Sequence, residues 1–365
     1  MSTTHAKPTA RPDTPDVAEA TPAPPSAMSR TRGTRLLGLA AAVGLLALTV
    51  AASLAFGNRD IPLDVVYAAL TDRAPGDVLH NIVWDQRLPR TFVGLLVGAA
   101  LGVAGTLMQG ITRNPLADPG LLGVNAGASL FVALAISVLG ITSPSGYVWF
   151  AFAGAAAAAA VVYAIGAIGR EGATPVKLAL AGTALTAGIT SIITLILISS
   201  TETTNAFRFW QVGSLASRGT GTWGLSWMLL VLLAIGLALA LLSGRALNLL
   251  AMGDDLARGL GANLGLARGV AAVSIVLLAG TATALAGPIV FVGLVVPHMI
   301  RPLIGGDYRW ILVYSLFVGP ALLLAADVVG RVIARPGELE AGLVVALVGA
   351  PVMIAIVRRV KLAGL

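Results

Sequence analysis

The chain begins polar and then alternates long apolar runs with short charged connectors. Residues 1–34 are rich in Pro, Ala, Thr and Ser and show no apolar period. Such a segment buries too little surface to offset its ordering entropy, so a disordered cytoplasmic tail is expected there. It is too long and too polar before the first apolar run to be a signal peptide. From 35 to 365 the runs approach the roughly 20 apolar residues that a membrane-crossing helix needs. Candidate spans fall at about 36–56, 92–112, 121–140, 147–169, 178–199, 225–243, 269–287, 288–304, 311–329 and 341–357. The pattern predicts an all-α integral membrane protein of about ten transmembrane helices: a short tail and one transmembrane domain over 35–365.

The seventh and eighth spans are the difficult pair. No charge occurs from Gly269 to Ile300, a stretch too long for one straight helix and short for two. Gly287-Pro288 lies inside it, and that pair breaks or sharply kinks a helix. With two spans, most of the 24 Lys and Arg fall on one side of the membrane. With one span the division is nearly even. The excess of cytoplasmic positive charge seen in membrane proteins favours two. Arg30, Arg32 and Arg35 precede the first run and place the N-terminus in the cytoplasm, and an even number of crossings returns the C-terminus there.

Within the second span Gly94, Gly98 and Gly102 recur every four residues. A glycine ridge of this kind lets helix backbones approach closely in lipid, so a tight internal contact is expected.

Composition agrees with the pattern. Hydrophobic residues make up 57% of the chain and charged residues 11%, against about 25% charged in a soluble domain. The net charge of +7 is scattered singly at the ends of apolar runs, which fits membrane topology and argues against a nucleic-acid partner. Cysteine is absent, which excludes disulfides, thiolate metal sites and a cysteine nucleophile.

The missing chemistry narrows the function further. Gly-Lys never occurs as a dipeptide, so the chain holds no phosphate-binding loop for ATP. The three histidines, His5, His80 and His298, have no second ligand at metal-binding spacing. No enzyme, cofactor or metal reading has residues to stand on. Asp327, near the outer end of the ninth, is the one acid inside a predicted span, whereas ion-coupled carriers bury several carboxylates as relays. A stand-alone carrier or channel is the rival reading, and this shortage of acids argues against an ion-coupled one.

Four segments carry more. Gln86 to Arg90 reads QRLPR and leads into Gly98, Gly102 and Gln109. Arg113 to Gly123 reads RNPLADPGLLG. Gly253, Ala257, Leu260 and Gly261 form a G-x-x-x-A-x-x-L-G pattern. Gly287 to Arg301 reads GPIVFVGLVVPHMIR, followed by Ala326 to Arg331, ADVVGR. Together these resemble the FecCD-type permease subunits of ABC importers for iron chelates and vitamin B12, over residues from about 36 to the end.

The resemblance implies ten helices per subunit and a multi-pass place in a prokaryotic inner membrane. It implies a second permease subunit, identical or a sister chain, a separate ABC ATPase dimer and an extracytoplasmic substrate-binding protein. A ferric siderophore is the expected cargo, with vitamin B12 or haem as alternatives. Residues Gly253, Asp254, Asp255, Ala257, Arg258, Leu260 and Gly261 would form the ATPase-coupling loop. There Asp254, Asp255 and Arg258 charge a short helix, and Leu256 and Leu260, four apart, make a small apolar anchor; an ordinary connecting loop would show the same pattern. Arg87, Arg90 and Arg331 would offer external cations to the binding protein, although arginines at such positions also anchor helix ends. Thr174, Pro175 and Val176 would mark the cytoplasmic gate, with Pro175 and Val176 more apolar than the hydroxyl residues of the vitamin B12 member. Asn114 and Pro115 read as a structural corner, and Pro297 and His298 as packed structural residues.

Two further departures stand out. Glu340 replaces a proline at the start of the tenth helix, where an acid still suits the helix dipole. Tyr308 replaces a histidine in the G-D-x-R segment.

Overall fold

The computed structural model describes residues 32–168, 174–216 and 227–362. The expected tail lies outside these residues, apart from its last three positions. Among the described residues the chain is helical, without strands. Helix α1 (Arg32–Ala55) is followed by two short helices, α2 (Leu63–Thr71) and α3 (Val78–Ile82), and by one π-helical turn (Val83–Arg87) that runs directly into α4 (Leu88–Thr112). After a 3-10 turn (Pro119–Leu122) come α5 (Val124–Ser137), α6 (Pro144–Gly166), α7 (Pro175–Ser199) and α8 (Thr201–Gln211). Then follow α9 (Trp227–Leu242), α10 (Gly244–Ala251), α11 (Asp254–Gly259), α12 (Leu264–Ala286), α13 (Val292–Ile304), α14 (Tyr308–Ile333) and α15 (Ala341–Leu362).

Each predicted span coincides with one of the longer helices. By length and composition, six described helices are able to cross a membrane, or seven if the bent pair α9–α10 counts as one. Helices α5, α13 and the apolar part of α15 are shorter. At 13 residues α13 is only about 20 Å long. The Gly287-Pro288 break is real: α12 stops at Ala286, Gly287 has φ +75°, Phe291 has φ +69°, and α13 starts at Val292. Irregular backbone at membrane depth is tolerated where protein buries it. Here the Ala286 carbonyl accepts from Ser214 N at 2.7 Å, and the carbonyl of Pro288 lies against Gly213.

The centre is α4, packed between α14, α12 and α13. Its most apolar window is 78% buried, against 17% in α1 and in α7; α4 is therefore the core rod, and α1 and α7 lie at the periphery. The glycine ridge is the reason. A Cβ at Gly98 would collide with the backbone of Pro320 and stand 2.8 Å from the Gly319 carbonyl oxygen. Thr106 and Ser315 then share a buried hydrogen bond of 2.9 Å across the same seam. Further along, Gly105 meets Gly293 of α13 backbone to backbone.

Candidate functional site

Two clusters of charge occupy opposite ends of α4. At its N-terminal end the π turn and the following helical turn turn Arg87 and Arg90 inward. Burial of a charge requires partners, and these are present. Asp327 of α14 is wholly buried between Arg90 (2.8 Å) and Arg331 (3.0 Å). Arg90 also reaches Glu338 at 2.6 Å, in the loop that leads to α15. Arg331 donates to the hydroxyl of Ser53 at 3.0 Å, and that hydroxyl shares a hydrogen bond with Thr91. Arg87 donates to the carbonyls of Leu54, Ala55 and Arg59, so it caps the end of α1. A helix C-terminus favours a cation in this way.

Arg87, Arg90 and Arg331, which the resemblance offers to a binding protein, are held within the bundle at this end. Each is under 7% exposed, because Asp327, Glu338 and the α1 carbonyls hold them. They line a cavity of about 360 Å³ together with Asn58, Asp85, Gln86 and Glu338. Asp327 is likewise explained: it neutralises two arginines.

At the other end, Arg113 closes α4 in the left-handed conformation (φ +50°). Asn114 Oδ1 accepts from Leu116 N at 2.9 Å, and Asp118 caps the following 3-10 turn through Gly120 N. The RNPLADPG segment is thus a chain of local turns, with Asn114 and Pro115 at its exposed corner. Beside it, Gly253 (φ +104°) and Gly261 (φ +83°) bracket α11. Ala257 is fully buried, whereas Leu256 and Leu260 are 50% and 55% exposed. Asp255 and Arg258 face outward and pair with each other at 3.2 Å. Asp254 differs from these two. Its carboxylate turns inward to Arg113 (2.8 Å) and Arg268 of α12 (2.9 Å).

Nearby, Asp307 caps α14 and accepts from Arg309 and from Asn248 of α10 at 2.7 Å. These contacts, led by the Arg309 guanidinium, hold its carboxyl down at about 2. Tyr308, the departure from histidine, lies under the Arg301 guanidinium, 5.9 Å from the ring centroid, a cation–π contact. His298 directs Nδ1 at the Leu294 carbonyl (2.8 Å), to which Gln109 Nε2 also donates (3.3 Å), and Pro297 is buried beside it. Thr174 caps α7 by accepting from Lys177 N, and Val176 is exposed; of Pro175 only the backbone lies within the description. Glu340 stands just before α15, and its carbonyl accepts from Leu343 N, so the helix begins without the proline.

Sequence reasoning missed the partners. Asp327 and Glu338 for the outer arginines, and Arg113 and Arg268 for Asp254, are far apart in the chain. The available signal was physical: arginines placed inside or at the edge of spans must find carboxylates.

Comparison with known proteins gives this architecture its place. The chain is 45% identical over 326 residues to the ferric enterobactin transport system permease protein of Escherichia coli (strain K12), covering 89% of this chain and 96% of that protein. It is 42% identical over 316 residues to a probable siderophore transport system permease protein of Bacillus subtilis (strain 168), covering 86% and 93%. A solved structure described as an inward-facing metal-chelate type ABC transporter superposes with a TM-score of 0.74 at 27% identity, covering 90% of this chain and 99% of that one. Residues 45–359 match the model of the FecCD transport family, and with four motif segments folded into one bundle around α4, the chain belongs to that family of ABC-importer permeases.

Proposed function

We propose that this chain is the membrane permease of an ABC importer for a ferric siderophore, working as a pair of permeases with a separate ATPase dimer and a substrate-binding protein. The observation that carries the reading is α11. It is a short helix at one end of the bundle that keeps Leu256 and Leu260 exposed while Ala257 and Asp254 fasten it from behind. Exposed leucines four residues apart, one on a fastened helix and one at its C-terminal cap, suit insertion into a groove of another protein. The cargo class follows from the relatives, whose names specify ferric enterobactin and siderophore transport.

In this reading the α11 end faces the cytoplasm, ten helices cross the bilayer, and both termini lie on the ATPase side. The arginine end faces outward. A binding protein docks over its cavity, where a carboxylate reaching inward meets Arg87, Arg90 and Arg331 and competes with Glu338. Such charges set register and encounter rate more than tightness. Val176 and its counterpart on the second permease narrow the inner mouth as an apolar constriction, which gates by excluding water.

The test is reconstitution of the permease with its ATPase, with and without binding protein loaded with a ferric catecholate. Loaded binding protein is expected to raise ATP hydrolysis. An ATPase that never associates with the permease would overturn the reading. Stimulation by haem or vitamin B12 but not by the ferric catecholate would reassign the cargo alone.

A further inference from the structure

We infer that Arg113, Asp254 and Arg268 form a positioning triad that carries movement of α11 into the core helices α4 and α12. The inference rests on the reading of α11 as the ATPase-docking helix and assigns its mechanical connection to the bundle.

Four observations converge on it. First, α11 is flanked by Gly253 and Gly261, both at positive φ. Backbone of that kind bends readily and is a poor conductor of displacement. Second, of the three charged side chains on α11, Asp255 and Arg258 pair with each other outside, and Asp254 alone turns inward. Its carboxylate accepts from Arg268 Nη2 through both oxygens, at 3.0 and 2.9 Å, and from Arg113 Nη2 at 2.8 Å. One carboxylate at the first residue of α11 thus grips the last turn of α4 and the first turns of α12 together. Third, Arg113 holds this position in a left-handed backbone conformation, which disfavours any residue with a Cβ. A helix end of this type is ordinarily closed by glycine or asparagine. An arginine there trades local comfort for a guanidinium aimed at Asp254. Fourth, α4 does not yield behind it. Its seam with α14 is backbone against backbone at Gly98 and Pro320, and close-packed interiors transmit displacement. From Arg113 the rod runs back about 35 Å to Arg90, Asp327 and the opposite cavity.

The pairs are partly exposed: Arg113 and Asp254 side chains are 38% and 27% accessible. Ion pairs in such settings add little stability. Their value here is direction, since a push or pull on Leu256 and Leu260 reaches two core helices through three charged groups.

The chain has no cysteine, so a single Gln86→Cys places a clean reporter in the cavity at the far end of α4. The permease–ATPase complex in proteoliposomes is labelled with a maleimide, with and without ATP trapped by vanadate. In the parent the labelling rate should change on trapping. Measured on the complex that co-purifies and normalised to bound ATPase, Asp254→Asn should shrink the trapping-dependent change about tenfold, within the usual range of coupling between sites. Arg113→Gln should do the same, and Asp254→Glu should restore most of the change. An Asp254→Asn complex that responds like the parent would overturn the triad. So would loss of ATPase binding in that variant, which would make Asp254 part of the docking surface. If the parent binds no ATPase at all, the docking-helix reading fails first.

Discussion

Each end of α4 gives one arginine to an aspartate that a second arginine also claims, and the two arrangements differ in burial. At the arginine end Asp327 is wholly buried and its partners Arg90 and Arg331 nearly so. At the α11 end Asp254 and Arg113 stay partly open to water. Breaking a buried pair strands a charge in a medium that solvates it poorly, whereas breaking an exposed pair returns both groups to water. The same triad chemistry is a buried fastener around Asp327 at one end of the rod and, in the proposed coupling, an adjustable connection around Asp254 at the other. The difference suits the proposed function, in which a connection to an ATPase works repeatedly while the frame it pulls on stays assembled.

The largest test is Asp327→Ala. It leaves Arg90 and Arg331 facing each other without their shared carboxylate, and should cost about 3–5 kcal/mol, seen as a large drop in the melting temperature of the detergent-solubilised protein. A melting temperature within a degree of the parent would erase the contrast between the two ends. Next is the rod itself. Gly98→Leu drives a side chain into the backbone of Pro320 and should cost about 1–3 kcal/mol. Gly188→Leu, where no atom lies within 4 Å of the added carbon, should be close to neutral in the same assay. Third, Asp254→Asn should lower stability by less than about 1 kcal/mol despite its effect on coupling. A loss as large as that of Asp327→Ala would make the two ends equivalent.

The smallest effect concerns Asp307, beside the α11 end. Its carboxyl sits at about 2 against an ordinary 3.8. A depressed value means the folded state favours the ionised form, so its stabilisation is complete above pH 3.8 and disappears as pH falls through 2. The contribution should stay under about 1 kcal/mol because water screens the site. Acid unfolding curves of the parent and Asp307→Asn, run in detergent from pH 5 to 2, should converge at the acid end.

The helices were legible because lipid imposes one rule on every span: satisfy the backbone internally and face outward with apolar atoms. The break at Gly287-Pro288 was legible from the backbone chemistry of that pair and the placement of positive charge, and the ridge from the four-residue spacing of Gly94, Gly98 and Gly102. The RNPLADPG and FVGLVVPH segments made the family recognisable as well. The charged residues were legible as positions and not as partners. Arg90, Arg331 and Asp254 were marked as functional, yet which way each side chain turns depends on Asp327, Glu338, Arg113 and Arg268, which meet them only in the folded bundle.

The sequence by itself therefore determined the solvent of this protein, the helices and the family, since those follow from local composition and periodicity. Tertiary structure decided which arginines are fasteners, which face of α11 is held and which is offered, and that α4 joins the two. Those outcomes depend on contacts between residues as far apart in the chain as Arg90 and Asp327, and the strength of each depends on burial, which no local pattern encodes.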